Sequence, residues 1–366
     1  MKKIVHVAPQ LSISGNVGGS YSVAFNFAES LGGRGNEVIL VTHSGGTGYH
    51  LIQNKNFIEL SCDSYLISKR IKPSSFVPTT GFKTIVKYIF TSEIVHVHLS
   101  REIFPILCSY ISLILGKRLI IQCHGMIVRD RRFLVRVLDL FLLRFLFIHS
   151  SKILVLTKAE ESRLPFRNTN LVLFGNGIKF QDEIVIYQDK KYEVIFLGRL
   201  NKVKRPEKFV QIISKYNKKY SNNLESVLFG PDGGSLESVS RELELINDKK
   251  IIYGGSLERD QVSDLLNQSK VLFMTSIFEN FPMVVVECLA TGTPVLILSH
   301  FDIAKDLSEE FPEMVIDDGN VEYILMRLRY LADRSSDIKY RKKISRFSRD
   351  KFNIENLSQK LETEIY

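Results

Sequence analysis

The chain has 366 residues, 45% of them apolar, and a formal net charge of +9. That length exceeds one ordinary domain and suits two of about 150–200 residues each, with apolar sequence for two cores and no repeat or low-complexity tract. The charge is uneven, with 22 Lys+Arg against 10 Asp+Glu in residues 1–180 and 27 against 30 in residues 181–366, so the first half is the one built to meet an anionic partner: nucleic acid, acidic glycan or membrane surface.

In chain order, MKKIVHVAPQ opens with two lysines, but His6 and Pro9 interrupt its apolar run, and it reads as a first strand over residues 3–8 rather than a signal peptide. A glycine-containing loop follows, with Gly15, Gly18 and Gly19 off the G-x-G-x-x-G spacing of a dinucleotide fingerprint. Gly18 and Gly19 carry no β-carbon, so their amides can approach an anion at the start of the next helix. In that helix Ala24, Phe27, Ala28 and Leu31 fall at i, i+3, i+4 and i+7, and Gly32-Gly33 ends it. Further strands are expected at 37–42, 94–98, 118–122, 152–156 and 171–174. They are apolar on both faces and separated by helix-length segments, the pattern of a parallel sheet covered on both sides.

His96 and His98 share a strand face, without a cysteine or carboxylate nearby to complete a zinc set, and His124 follows a strand in QCHG. The apolar stretch 103–115 is too short to span a bilayer, and 133–148 contains Arg136, Asp139 and Arg144. Residues 129–148 interleave Arg129, Arg131, Arg132, Arg136 and Arg144 with Phe133, Leu134, Phe141, Leu142, Phe145 and Phe147. This is either a core helix with a basic solvent face or a helix that lies on an anionic membrane. The rhythm breaks between Gly177 and Tyr192, which places the domains at 1–177 and 192–349.

In the second half, strands are expected at EVIFL, ESVLF, KIIY, KVLFM and PVLIL. After the first of them, Arg199 and Lys204 stand where a bidentate guanidinium and an ammonium together grip a diphosphate without a metal. Glu279 and Glu287 bracket E-N-F-P-M-V-V-V-E. With Glu279 in a loop and Glu287 one or two turns into a helix, two acceptor-only carboxylates suit a ligand with hydroxyls at both ends, such as a nucleotide sugar. No G-x-S-x-G, Walker loop or D-x-D metal motif is present, so chemistry falls to positioning and leaving-group stabilisation. The four scattered cysteines, Cys62, Cys108, Cys123 and Cys288, fit a reduced, cytoplasmic chain.

Taken in this order, GNVGGS, IVHVH, QCHG, FLGRLNKVKRPEKF, LFGPDGG and ENFPMVVVECLATGTPV resemble the retaining glycosyltransferases of family 4 over nearly the whole chain. The resemblance implies the GT-B fold, two Rossmann-like doubly wound α/β domains facing across a cleft, with the last helix, 350–366, returning to the first. It implies that Arg199 and Lys204 bind the donor diphosphate, Glu287 the ribose hydroxyls, and Glu279 with Asn280, Phe281 and Pro282 the donor sugar. Met283 and Val284, at the start of the following helix, join the donor-binding set. Gly18 and Gly19 approach the phosphate, and His124 lies near the transferred sugar. The implied partners are a nucleotide-diphosphate sugar and a glycan acceptor, lipid-linked, met at the inner membrane face during bacterial surface polysaccharide synthesis, with no nucleic acid, metal or other cofactor. Where the family often has E-G-F-G and K-G, this chain has E-N-F-P and Lys204-Arg205, which opens the identity of the sugar. A nucleotide-sugar epimerase of the same architecture and a catalytically silent relative are the alternatives.

Overall fold

The computed structural model describes residues 1–9, 19–44, 49–66, 76–130, 132–166, 170–180, 189–220 and 224–366. They form two compact units, Met1–Lys179 with Ile354–Tyr366, and Phe180–Asn353.

The strands of the first unit are β1 (Lys3–Val7), β2 (Glu37–His43), β3 (His50–Gln53), β4 (Ile58–Cys62), β5 (Ser64–Leu66), β6 (Phe76–Pro78), β7 (Ile94–His98), β8 (Arg118–Gln122), β9 (Lys152–Val155) and β10 (Leu171–Leu173). Its helices are α1 (Gly19–Gly33), α2 (Phe82–Thr91), α3 (Ile103–Ile114), α4 (Phe133–Leu138), α5 (Arg144–His149) and α6 (Lys158–Arg163). Eight strands make one sheet in the order β10-β9-β8-β7-β1-β2-β4-β3. All its pairs are parallel except β3 with β4; β5 and β6 form a separate antiparallel pair. The segment β3 to β6 was not among the expected strands, because HLIQ and SYL are too short and too polar to stand out from loop sequence. Side chains alternate across the sheet. One face turns Val5, Val7, Val95, Val97 and Ile121 into a core shared with Ile85, Phe104 and Phe147. The other face carries His6 and His96, register partners on neighbouring strands, beneath Phe27 of α1.

The second unit contains β11 (Tyr192–Leu197), β12 (Glu225–Phe229), β13 (Ile251–Tyr253), β14 (Ser269–Phe273), β15 (Val295–Leu298) and β16 (Val315–Ile316), with α7 (Pro206–Lys219), α8 (Leu236–Ile246), α9 (Arg259–Asn267), α10 (Met283–Ala290), α11 (Ala304–Glu310), α12 (Val321–Arg334) and α13 (Ile338–Phe352). Its six strands run in the order β13-β12-β11-β14-β15-β16, all parallel. Chain order reverses between β11 and β14, and the crevice beyond the carboxyl ends of two such strands is where α/β sheets take ligands. In the first unit the reversal lies between β1 and β7. A last helix, α14 (Ile354–Lys360), and a closing turn to Tyr366 belong to the first unit. Gly177 admits them, since a β-carbon there would sit 2.8 Å from Ile354 Cδ1 and 2.9 Å from its Cα. Among the described residues no helix is long and apolar enough to cross a membrane.

Candidate functional site

The loops after β11 and β14 meet at the second unit's reversal point. After β11 comes Gly198-Arg199, and a turn runs from Asn201 to Arg205; the Lys204 amide donates to Asn201 Oδ1 at 3.0 Å. Thr275, just past β14, donates its hydroxyl to the carbonyls of Lys204 and Arg205 at 2.9 Å each. The Ile277 amide donates to Val203 O at 2.7 Å. Held this way, Lys204 forms an ion pair with Glu279, whose carboxylate also accepts from Ser276 Oγ at 2.7 Å. Both side chains are largely sheltered, 22% and 11% exposed, so solvent screens the pair only in part. Lys204 and Glu279, 75 residues apart, therefore occupy one site.

Arg199 is exposed, and its stem lies over Gly233, where a β-carbon would come within 2.7 Å of Arg199 Cγ. Asp232, beside it, caps the start of α8 by accepting from the amides of Gly234, Ser235 and Leu236. Those bonds hold its carboxyl below the usual range. Arg205 takes a left-handed backbone, φ 49, at the place where the family resemblance leads one to look for glycine. Its Nε donates to Thr275 O at 2.6 Å and its Nη1 pairs with Asp318 at 2.8 Å; Lys208 pairs with the same carboxylate. These bonds offset a conformation that costs a non-glycine residue about 1–2 kcal/mol.

Glu279 lies in the loop before α10, with Asn280 and Phe281 half-buried and Pro282 buried at the helix entrance. The first turn of α10 holds no acidic residue and its N-cap, Pro282, supplies no side-chain cap, so the first amides of α10, at Met283 and Val284, present the positive end of the helix dipole. Glu287 stands half-buried in the second turn of α10. The far end of α10 is held by α13: buried Arg341 donates to Gly292 O at 3.2 Å and Thr291 O at 3.1 Å, and Ser345 Oγ to Ala290 O at 2.6 Å. Phe352 of α13 meets Phe281 edge-on at 5.6 Å. Ser276, Arg205, Asp318 and Arg341 were invisible to spacing arguments, since each acts through a partner that only the fold brings near.

In the first unit, Gly18 lies outside the described residues, and Gly19 is the exposed first residue of α1. His124 follows β8 with a left-handed backbone, φ 50, and Gly125 continues the turn at φ 69. Buried Glu160 fixes this turn by accepting from the amides of Gly125 and Leu156. His98 Nδ1 lies 2.7 Å from His124 Nε2, and His6 Nδ1 lies 3.2 Å from His98 Nε2. Tyr366 Oη lies 2.5 Å from His96 Nδ1 and 3.3 Å from His6 Nε2. Burial pushes His6 and His124 down to about 3 and His96 and His98 well below 6.5. The fold thus adds His6 to the pair seen in the sequence, and one nitrogen from each of His6, His96 and His98 lies within 4.8 Å of the others. These are the described residues best placed to share a cation. Cys62, Cys108, Cys123 and Cys288 are buried thiols whose titration burial raises.

Residues 133–149 form one helical run, α4 and α5 joined by a π-turn at Asp139–Leu143. Arg101 grips buried Asp139 in that turn with two bonds, 3.0 and 2.8 Å, and donates to Val128 O at 2.6 Å. Phe133, Leu138, Phe141, Phe145 and Ile148 are exposed, Phe133 by 74% and Phe141 by 70%, alongside exposed Arg132, Arg136 and Arg144. Phe147, grouped with them on sequence, is buried against Phe166 instead, 5.8 Å away, because it falls on the core side of α5. Arg131 and the Leu134 side chain lie outside what is described. A cavity of about 670 Å³ opens here, lined by Arg129, Arg136, Phe133, Val137, Leu140 and Phe166 among others.

Residues 178–351 match the family of glycosyl transferases group 1. A Campylobacter jejuni enzyme, GalNAc-alpha-(1->4)-GalNAc-alpha-(1->3)-diNAcBac-PP-undecaprenol alpha-1,4-N-acetyl-D-galactosaminyltransferase, is 29% identical over 140 residues, a match that spans 38% of this chain and only 38% of the enzyme. An uncharacterised glycosyltransferase of Haemophilus influenzae is 22% identical over 324 residues, 87% of each chain. The crystal structure of Anabaena HepE with UDP and glucose superposes with a TM-score of 0.71 at 11% identity, covering 99% of this chain and 98% of the other. At that identity the likeness is one of fold, and the fold is GT-B, two Rossmann-like units in one chain.

Proposed function

We propose, for a chain whose residues 178–351 match the glycosyl transferases of group 1, that it transfers a sugar with retention from a nucleoside diphosphate sugar to a glycan acceptor. The observation that carries this is the Lys204–Glu279 pair beside the uncapped start of α10. A diphosphate leaving group gathers negative charge as the glycosidic bond breaks. Lys204, Arg199 and the amides of Met283 and Val284 answer that charge, and an interaction that grows toward the transition state raises turnover. Glu279 accepts from donor-sugar hydroxyls and Glu287 from the ribose, and Gly18 and Gly19 are the first unit's candidates for the phosphate. Neutral His124 sits near the sugar. The diphosphate is met by side chains and amides, so transfer is independent of divalent metal. The HepE crystal holds UDP together with glucose, which makes UDP-sugars the first donors to try.

The acceptor on this reading is lipid-linked, as the name of the Campylobacter relative states for that enzyme. Arg129 and Arg136 share a cavity with Phe133, Val137, Leu140 and Phe166, walls that suit an anion carried on an apolar chain. The exposed apolar and basic side chains around it suit an anionic leaflet, in keeping with work at the inner face of the membrane in surface polysaccharide assembly. The test is turnover of UDP-, GDP- and ADP-sugars with lipid-linked acceptors in excess chelator. Product with the retained anomeric configuration supports the proposal, while hydrolysis or epimerisation without transfer overturns it.

A further inference from the structure

The histidines behind His124 are linked in series. The register pairs His6 with His96 across β1 and β7, and His98 with Gln122 across β7 and β8. Because β-strand side chains alternate, His6, His96 and His98 share the sheet face opposite Val5, Val95 and Val97. His96 and His98 stack at 4.8 Å and His98 and His124 at 4.9 Å, rings nearly parallel. His6, His96 and His98 are fully buried. A neutral imidazole has one N–H and one bare nitrogen. Where both ring nitrogens are engaged in a series, the proton position on one ring dictates the next. The path Gln122, His96, Tyr366, His6, His98, His124 therefore has two patterns, running one way or the other.

The unpartnered atoms choose between them. His96 Nε2 and Gln122 Oε1 are both buried without a hydrogen-bond partner, and Gln122 stands beside His96 with its Nε2 donating to Asn176 Oδ1 at 3.1 Å. A hydrogen on His96 Nε2 directs a donor toward the bare Gln122 oxygen, relieving two unmet groups at once. His96 Nδ1 then accepts from the Tyr366 hydroxyl, Tyr366 Oη from His6 Nε2–H, His6 Nδ1 from His98 Nε2–H, and His98 Nδ1 from His124 Nε2–H. All four rings adopt the Nε2–H form, which is also the more stable form of free neutral histidine. His124 Nδ1 is left bare, itself buried and without a hydrogen-bond partner in the protein, while the Asn176 side chain beside the ring favours an N–H on it.

We propose that His98, backed by His6, Tyr366 and His96, is a positioning residue that locks His124 as the neutral Nε2–H tautomer, so that its Nδ1 accepts a hydrogen bond from a sugar hydroxyl. This rests on the transferase reading, which puts a sugar at His124; the lock itself does not. The experiment is long-range ¹⁵N–¹H correlation spectroscopy of the ¹⁵N-histidine-labelled full chain at pH 7, with assignment through His124→Gln, beside kinetics of His98→Leu and His98→Asn. His124 is expected as the Nε2–H tautomer alone in the wild type and in His98→Asn, whose side-chain oxygen replaces the lost acceptor. His98→Leu is expected to show both tautomers and about a 10-fold lower kcat, the scale of a misoriented catalytic group, with donor KM within about twofold. An Nδ1–H or doubly protonated His124 in the wild type overturns the proposal without any variant having to fold. So does a stoichiometric metal ion retained on His6, His96 and His98. The expected tautomer with no transfer activity removes the transferase reading and leaves the lock standing, while transfer with the wrong tautomer removes the lock alone.

Discussion

Acidification from pH 7.5 to 5.5 is expected to unfold the first unit selectively. In the folded protein His6 and His124 are pushed down to about 3 by burial, and His96 and His98 lie well below 6.5 for the same reason, aided by their mutual repulsion. In the unfolded chain all four titrate near 6.5. Between about 3 and 6.5 the unfolded state therefore binds protons that the native state refuses, and stability falls as pH falls through that window. One unit below 6.5, each ring contributes about 1.4 kcal/mol of loss and the four together about 5 kcal/mol, as much as the whole stability of many domains. The second unit supplies an internal control, because its single histidine, His300, is exposed. Hydrogen exchange of peptides from β7, β8, β11 and β14, corrected for the intrinsic pH dependence of exchange, reads each unit separately. Opening free energies in β7 and β8 should drop by about 5 kcal/mol while those in β11 and β14 move by less than about 1. An unchanged value in β7 and β8 at pH 5.5 would refute the claim that these rings are buried neutral.

Arg199→Ala and Lys204→Ala are each expected to lower turnover about 100-fold or more with the native circular dichroism spectrum retained; near wild-type turnover in a folded variant would remove that residue from the diphosphate site. At Arg205, glycine relaxes the left-handed backbone while alanine keeps the strain, and both lose the bonds to Thr275 and Asp318. Urea denaturation should thus find Arg205→Gly more stable than Arg205→Ala by about 1 kcal/mol, and the reverse order would contradict the backbone assignment. Replacement of Arg129, Arg132 and Arg136 by glutamine should abolish low-salt sedimentation with anionic liposomes, given about 1 kcal/mol per basic residue near such a surface. Equal binding of the wild type to neutral liposomes would return the segment to an ordinary packed helix.

Much of the local structure around the candidate site was legible in the chain. Runs such as RLIIQ and VLIL are apolar on both faces, which requires helices on both sides of each sheet, and Glu279 and Glu287 fall on a loop and a helix as their spacing implied. Local patterns of this kind survive folding because they depend only on periodicity over a few residues. The short strands β3, β5 and β6 were missed because three or four residues carry no such pattern. Phe147 falls on the core side, against expectation, because a simple helical period does not carry through the π-turn at Asp139–Leu143 that lies just before it.

Sequence by itself determined most of the elements, the two-unit division of composition and the residue types available to the proposed ligand. Tertiary structure alone decided which of them meet. Lys204 pairs with Glu279 because β11 and β14 became neighbours although two strands separate them in the chain. His6 joins His96 and His98 because the β1–β7 register brings distant residues side by side. Strand order and register are set by the packing of the whole sheet and its covering helices, a global minimum that no local period encodes, so the partners of a charged or titratable group appear only when the chain has closed on itself.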